Sequence, residues 1–178
     1  MLAMKWLSLP LLSPDECRRI AGALTGSGGA DAPVYGASSG GAVDHRVRRV
    51  RKLDAPAEIA RSIGSALESV QPQLAEHFGV ALTHFEPPQF LRYQTGDFFV
   101  AHQDGNTPLI HDDTMNRRVS AIVFLSDAGD YGGGALRFQN GGDAPSVQGS
   151  LLAFPSELTH EVTPVERGER FTVVTWYR

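Results

Sequence analysis

His102 and Asp104 stand one residue apart at the end of an apolar run, FFVAHQDGN (98–106). If the run is a strand, side chains 98, 100, 102 and 104 point to one face, so an imidazole and a carboxylate follow two apolar neighbours there. Polar groups in that position need a partner, and a divalent metal ion suits both donor types. The chain holds a second copy of the spacing, His111-Asp112-Asp113. That copy lies in NTPLIHDDTMNRR, a polar stretch with no strand before it, and a loop holds ligands less rigidly than a strand. The first copy is the candidate.

A third donor must come from elsewhere in the chain. The six histidines are 45, 77, 84, 102, 111 and 160. His77 closes a helical pattern, where an imidazole suits the helix C-terminus. His45 adjoins a Gly-rich stretch, and His84 begins a strand and precedes Pro87-Pro88. His160 follows the turn PSELT and opens a late strand, HEV. It is either a hydrogen-bonded histidine at a strand end or the third ligand. With it, two histidines and one carboxylate would hold a metal on one face and leave the opposite positions open, the donor set of non-haem Fe(II) oxygenases.

Arg170 adds a second kind of chemistry. In RFTVVTWYR, residues 170, 172, 174 and 176 share one strand face and 171, 173, 175 and 177 the other, and both faces are largely apolar. A strand buried on both sides would bury the guanidinium, which then needs an anion. The anion is either a carboxylate of the protein or a dicarboxylate cosubstrate held by the guanidinium fork.

The elements that must position these residues fall into two halves. MLAMKWLSLPLL reads as a first strand. Ser13-Pro14-Asp15-Glu16 is a helix start with a capping box, and the helix runs to about Leu24. Residues 25–44 are rich in Gly and Ser and predict a mobile loop, a lid that orders with substrate. HRVRRVRKL has strand spacing with a basic exposed side. Ile59, Ile63, Leu67, Val70 and Leu74 follow one helix face, with Pro72 set to kink or split that helix. From His84 on, short apolar runs alternate with turns: FLRY, FFVAH, VSAIVFLS, ALRFQ, SLLAF, HEVTPV and RFTVVTWYR. This predicts a mainly β fold with flanking helices (α+β), an antiparallel barrel or jelly roll packed by N-terminal helices. Residues 1–178 read as a single domain, with helical support over about 1–83 and a catalytic core over about 84–178.

Composition sets the class. The chain has 178 residues, 42% hydrophobic and 20% charged, which suits one soluble globular domain. A net charge of −4 argues against a protein whose task is gripping a phosphate backbone. Cys17 is the only cysteine, so the chain has no internal disulfide and no cysteine zinc cluster. The apolar run after Lys5 is interrupted by Pro10 and is too short to span a membrane. These features predict a cytoplasmic protein.

Taken together, His102-x-Asp104, then His160 fifty-six residues on, then Arg170 ten residues later, resemble the 2-oxoglutarate and Fe(II)-dependent dioxygenases. The nearest branch is the prolyl 4-hydroxylase-like group. RYQTGDFFVAHQDGN is similar to that group's tyrosine-glycine-histidine-x-aspartate segment. VSAIVFLSDAGDYGGGALRF resembles its strand, turn and Gly-Gly segment, and GSLLAFPSELTHEVTPVERGERFTVVTWYR its C-terminal third. The resemblance covers residues about 84–178, and the N-terminal half only in architecture.

The resemblance implies a double-stranded β-helix with iron near its open end. By position, His102, Asp104 and His160 resemble the iron ligands. Arg170 resembles the residue that pairs with the distal carboxylate of 2-oxoglutarate, with Thr172 beside it, and Tyr93 a tyrosine that hydrogen-bonds the cosubstrate. Some relatives carry a second tyrosine where this chain has Phe124, which cannot donate. The implied reaction consumes O2 and 2-oxoglutarate, releases succinate and CO2 and hydroxylates a C–H bond, with ascorbate as reductant. Asp104 argues against a halogenase of this class, in which a small residue replaces the carboxylate.

Other readings stay open on sequence alone. A cupin-like metal enzyme would share the barrel without needing Arg170. An alkylation-repair demethylase would show two closely spaced arginines after the distal histidine, whereas Arg170 and Arg178 are eight apart. A binding module without catalysis would make the triad a coincidence. The substrate is a small molecule or a peptide: a free amino acid, a peptidyl residue such as proline, or a related intermediate. Asn106, Trp176 and Arg48 are the candidates for touching it, with Arg48 in a basic run that reads either as a solvated face or as a contact for an anionic substrate.

Overall fold

The computed structural model describes residues 6–34, 41–139 and 141–178. Its strands are β1 (Leu7–Pro10), β2 (Gly29–Asp31), β3 (Arg48–Arg49), β4 (Arg51–Leu53), β5 (Gln89–Tyr93), β6 (Phe98–His102), β7 (Val119–Phe124), β8 (Tyr131–Gly133), β9 (Leu136–Phe138), β10 (Gly142–Asp143), β11 (Ser150–Pro155), β12 (His160–Val162), β13 (Val165–Gly168) and β14 (Arg170–Tyr177). The larger sheet has the order β1-β11-β7-β14-β5-β4-β2 and the smaller β10-β9-β12-β6-β3, with β13 and β8 a separate pair. From β7 onward the chain passes back and forth between the sheets: β7, β11 and β14 lie in the larger, β9 and β12 in the smaller. This is the jelly-roll core that the short, evenly spaced apolar runs predict.

Two helices cover the outer face of the larger sheet. In α1 (Pro14–Thr25), Ser13 and Glu16 form the expected capping box, and Cys17, Ile20 and Leu24 face inward. In α2 (Ala57–Phe78), Ile59, Ile63, Leu67 and Leu74 are buried. Pro72 neither splits nor ends α2, which runs on to Gly79, a left-handed cap at φ 65°. The helix residues pack on Leu53, Phe90, Val123, Leu151, Phe171 and Val173 of the sheet. The Tyr177 hydroxyl donates to the Leu67 carbonyl at 2.9 Å and ties α2 to β14. The inner face of the sheet, with Phe124, Leu152 and Phe154, looks into the barrel. β14 is thus buried on both sides, as its two apolar faces predict.

Two expectations need correction. Residues 25–44 are not a loop throughout, because β2 lies at the sheet edge, paired with β4, and Ala32 and Val34 are buried. Glycine permits that pairing: a Cβ at Gly29 would lie 2.4 Å from the Lys52 carbonyl oxygen. Positions 35–40 of the segment fall outside the described residues. HRVRRVRKL is not one strand but two, β3 in the smaller sheet and β4 in the larger. Arg48 consequently turns inward and is buried, while Arg49 is exposed. The first 83 residues supply strands to both sheets as well as helical support. Among the described residues no helix is long and apolar enough to cross a membrane.

Candidate metal centre and active site

The smaller sheet brings two histidines together. His102 ends β6, His160 opens β12, and the two are register partners across the antiparallel ladder. Asp104 follows two residues past β6, anchored by its backbone N–H to the Ser156 carbonyl at 2.9 Å. The His102 Nε2 lies 3.3 Å from Asp104 Oδ1, and His160 Nε2 lies 3.5 Å from Asp104 Oδ2. The three ligand atoms all lie within 4.8 Å of one another, a spacing that a single ion can bridge. Each imidazole donates its Nδ1–H to a carbonyl two residues back, His102 to Val100 and His160 to Leu158, both at 2.8 Å. These bonds fix the tautomer, so each Nε2 lone pair is free to face an ion.

The local geometry departs from simple alternation. His102 pairs with His160, but Phe99, three residues back, pairs with Val162, only two residues on, so a β-bulge intervenes. The bulge puts Phe99, not Val100, beside His102. The two rings stack with centroids 3.5 Å apart at 14°. Phe98 and Phe99 are half-buried, and Val100 is exposed. The expected face of 98, 100, 102 and 104 is therefore broken at the bulge.

Electrostatics suit a metal-binding state. Burial is the largest influence on the Asp104 carboxyl and pushes its pKa up. The His160 and His102 imidazoles and a Ser120 hydrogen bond outweigh it and hold the carboxyl far below the ordinary carboxylate range. His160 is pulled down to about 4, first by burial and then by His102 beside it. An ionised carboxylate beside a neutral, buried imidazole is the protonation pattern a divalent ion requires. The Ser120 hydroxyl donates to Asp104 Oδ2 at 2.7 Å and also meets the Ser156 hydroxyl at 3.0 Å.

The second H-x-D copy serves other ends. His111 is exposed. Asp112 caps a short 3-10 turn (Asp113–Asn116) by accepting from the Thr114 N–H at 2.9 Å, and Asp113 pairs with Arg178 at 2.7 Å. Among the described residues, His102, Asp104 and His160 are the group with metal-ligand geometry.

Arg170 is 2% exposed, and its Nε and Nη2 are buried without a hydrogen-bond partner. None of the ion pairs among the described residues includes it, which removes the internal salt bridge as its explanation. The Thr172 hydroxyl, on the same strand face, is likewise buried and unpartnered. Tyr93 is the register partner of Arg170 on β5, and the guanidinium carbon lies 5.0 Å from its ring centroid and 5.7 Å from that of Phe124. Gly134 makes room for this side chain: a Cβ there would come within 3.0 Å of Arg170 Cδ. A buried cation with unused donors calls for an anion from outside the chain.

Two cavities meet at the triad. The larger, about 240 Å3, is lined by Arg48, Phe99, His102, Arg117 and Trp176 among others. The smaller, about 40 Å3, is bounded by Tyr93, Ser120, His160, Val174 and Trp176 and shares Arg48, His102 and Asp104 with the larger. Trp176, a candidate for touching the substrate, lines both cavities. Asn106 does not: it adopts φ 52°, its amide donates to Glu157 at 3.1 Å and its oxygen accepts from Arg118. It borders a separate surface cavity with His77 and Phe78.

Sequence reasoning missed several residues here. Arg117 forks onto Glu86 with two bonds of 2.7 Å, and its guanidinium lies 3.7 Å from the Trp176 ring centroid. Gly105 is buried, and a Cβ on it would lie 2.3 Å from the Thr114 carbonyl oxygen and 2.6 Å from Arg117 Cβ. The signal available for such a close approach was the glycine itself, one residue past Asp104.

The donor set, two imidazoles and one carboxylate with a buried unpaired arginine nearby, fits iron(II) and a dicarboxylate. Known proteins bear on this geometry. Residues 88–178 match the model of the 2OG-Fe(II) oxygenase superfamily. A PKHD-type hydroxylase of Shewanella oneidensis is 34% identical over 150 residues, covering 80% of this chain and 66% of the relative. One of Burkholderia ambifaria is 32% identical over 149 residues with the same coverage. The chain thus spans just under two thirds of the length of these relatives. A crystal structure of a Pseudomonas putida prolyl-4-hydroxylase superposes with a TM-score of 0.72 at 25% identity, covering 99% of this chain and 93% of that one. A Trichoplax adhaerens prolyl hydroxylase, solved with a hypoxia inducible factor peptide, shares the fold with a TM-score of 0.71 at 16% identity, covering 98% and 84%. The likeness to the Pseudomonas putida prolyl-4-hydroxylase points to the prolyl 4-hydroxylase-like branch, and the span of the family match establishes that the chain belongs to the 2OG-Fe(II) oxygenase superfamily.

Proposed function

We propose that the protein is an Fe(II)- and 2-oxoglutarate-dependent dioxygenase that hydroxylates an unactivated C–H bond of an amino acid, a peptidyl residue or a related small molecule. The observation that carries this reading is the pairing of one triad with one orphaned arginine. A cupin-like metal enzyme has use for His102, Asp104 and His160 but none for a buried guanidinium that lacks an anion.

Each residue has a task. His102 and His160 present their Nε2 atoms, and Ser120 steadies Asp104 as the third ligand. Arg170 holds the distal carboxylate of 2-oxoglutarate, with the Thr172 hydroxyl and Tyr93 beside it. Phe124 takes the place of a hydrogen-bonding tyrosine, so the polar contact falls to Arg170, Thr172 and Tyr93. Bound iron(II) with 2-oxoglutarate supplies O2 activation that couples release of succinate and CO2 to insertion of one oxygen into the substrate. The apolar walls, Phe99 and Trp176 among them, keep water from the reacting centre. Ascorbate serves as reductant.

The chain works as one catalytic unit, since β1 and β4 of its N-terminal half pair with β11 and β5 of the core. A cytoplasmic setting accords with Cys17, a free and buried thiol. Nucleic acid and membrane are not among the proposed partners, in keeping with the net charge of −4. The name of the Trichoplax relative's structure favours keeping peptides among the substrates to be tested. The test is a mass-spectrometric screen of amino acids and peptides with Fe(II) and 2-oxoglutarate. Substrate-dependent gain of one oxygen with matching succinate supports the proposal, and the absence of 2-oxoglutarate turnover with every substrate contradicts it.

A further inference from the structure

Arg48 is the second buried arginine near the triad, and the reaction proposed above does not use it. It is 6% exposed and lines both cavities. Nη1 gives to the Pro33 carbonyl at 2.8 Å, and the Tyr93 side chain also accepts a hydrogen bond from the guanidinium. Among the described residues its Nε is buried without a partner, and the guanidinium carbon lies 4.7 Å from the Phe99 ring centroid. Burial is the largest influence on its charge and lowers its pKa, with Tyr93 and Asp104 opposing. No ion pair among the described residues neutralises it. Arg117, the other guanidinium lining the larger cavity, is already taken by Glu86. The same cavity carries a complementary vacancy for a donor, because Gln89 Oε1 is buried with no hydrogen-bond partner. A cation with a spare donor and an amide oxygen with a spare acceptor line one apolar-walled space of about 240 Å3. That is below the roughly 300–1,000 Å3 of typical ligand pockets.

We infer that the larger cavity takes a free amino acid or a closely similar small N–H-bearing carboxylic acid, its carboxylate on Arg48 and its N–H on Gln89 Oε1. This rests on the dioxygenase reading, in which Arg170 and the metal already account for the two carboxylates of 2-oxoglutarate. A third anion is then left for Arg48, and the substrate supplies it. A residue interior to a peptide has no α-carboxylate to place on Arg48 beside an N–H on Gln89, so peptidyl substrates are disfavoured.

Calorimetry on the protein loaded with Mn(II), without O2, separates the sources of that carboxylate. The probes are 2-oxoglutarate alone, then the proteinogenic L-amino acids and their C-terminal amides added in the presence of 2-oxoglutarate. At least one acid should bind, with its amide weaker by about 30-fold or more, as loss of a charge-assisted contact implies. Arg48→Met should abolish that preference while 2-oxoglutarate affinity stays within about twofold, and Gln89→Met should weaken the acid by about 3- to 10-fold. The melting temperature of Arg48→Met without ligands should not fall, because the substitution removes an uncompensated buried charge. The inference is overturned if no acid binds, if acid and amide bind alike, if Arg48→Met weakens 2-oxoglutarate as much as the acid, or if that variant loses its fold. Failure of 2-oxoglutarate to bind the wild-type protein would instead strike the parent reading.

Discussion

His102 and His160 stand opposite each other on adjacent antiparallel strands, with ring centroids 4.3 Å apart. The β6–β12 ladder sets their separation, so two of three metal donors ride on the sheet itself. A site built on strands is held more tightly than one built on loops. His102→Ala or Asp104→Ala should therefore abolish Fe(II)-dependent turnover, whereas His111→Ala should keep most of it. Metal content and turnover of the three variants, compared side by side, check this; loss with His111→Ala and survival of His102→Ala would move the site to the other H-x-D copy.

Ser120 offers a subtler probe. Its hydroxyl aims Asp104 Oδ2 without touching the other two donors. Removing a group that orients a ligand typically lowers metal affinity by about 10–100-fold. Ser120→Ala should show that loss in a metal titration with little change in melting temperature. Unaltered affinity would show that Asp104 needs no such support.

The candidate triad was legible from residue types, spacing and the family resemblance rather than from strand alternation, which fails at the bulge. Arg170 sits on a strand apolar on both faces, so its burial followed from pattern alone. Other features were not legible. The bulge between Phe99 and His102 depends on how β6 meets β12, which no local pattern reports. The basic run around Arg48 left a solvated face and a substrate contact both open, and its burial was hidden because the chain changes sheets at Val50 and turns it inward. Asn106 lies two residues past Asp104, yet its left-handed backbone carries its side chain to Glu157 and Arg118. Ser120 was hidden because serine within an apolar strand signals no particular partner.

Gly105 should tolerate no side chain. A methyl group would press into the Thr114 carbonyl and Arg117 Cβ, both of which belong to the wall behind Asp104. Gly105→Ala should destabilise the fold by about 1–3 kcal/mol, the usual range for overpacking, and weaken metal binding with it. Urea denaturation of the variant beside the wild type gives the number; equal midpoints would mean that the segment yields freely.

Acid should loosen the wall of the substrate cavity. Burial pushes the Glu86 carboxyl up, but the hydrogen bonds and charges of Arg117 and Arg178 outweigh it and leave it below its ordinary 4.5. A carboxyl depressed in the folded state contributes stability above its unfolded pKa and loses it as pH falls through the folded value. That contribution should be complete above about pH 5 and decline below 4.5. Glu86→Gln should flatten this limb and lower stability at neutral pH, toward the roughly 3–5 kcal/mol seen when one partner of a buried pair is removed. Thermal melts from pH 7 down to pH 3 test both parts, and an identical acid limb in the variant would assign the loss to other carboxyls.

On the proposed reading Arg170 receives a dicarboxylate, and 2-oxoglutarate affinity is the measurement that decides it. Its buried Nε and Nη2 have no hydrogen-bond partner among the described residues. Arg170→Ala leaves the three metal donors in place but deletes a charge-assisted fork, a loss of about 2–5 kcal/mol. Measured without O2 in the presence of Mn(II), 2-oxoglutarate should bind the folded variant about 30-fold or more weakly than wild type. Arg170→Lys should recover only part of the loss, and metal affinity should barely move. Equal 2-oxoglutarate affinity in wild type and a folded Arg170→Ala protein would contradict the account.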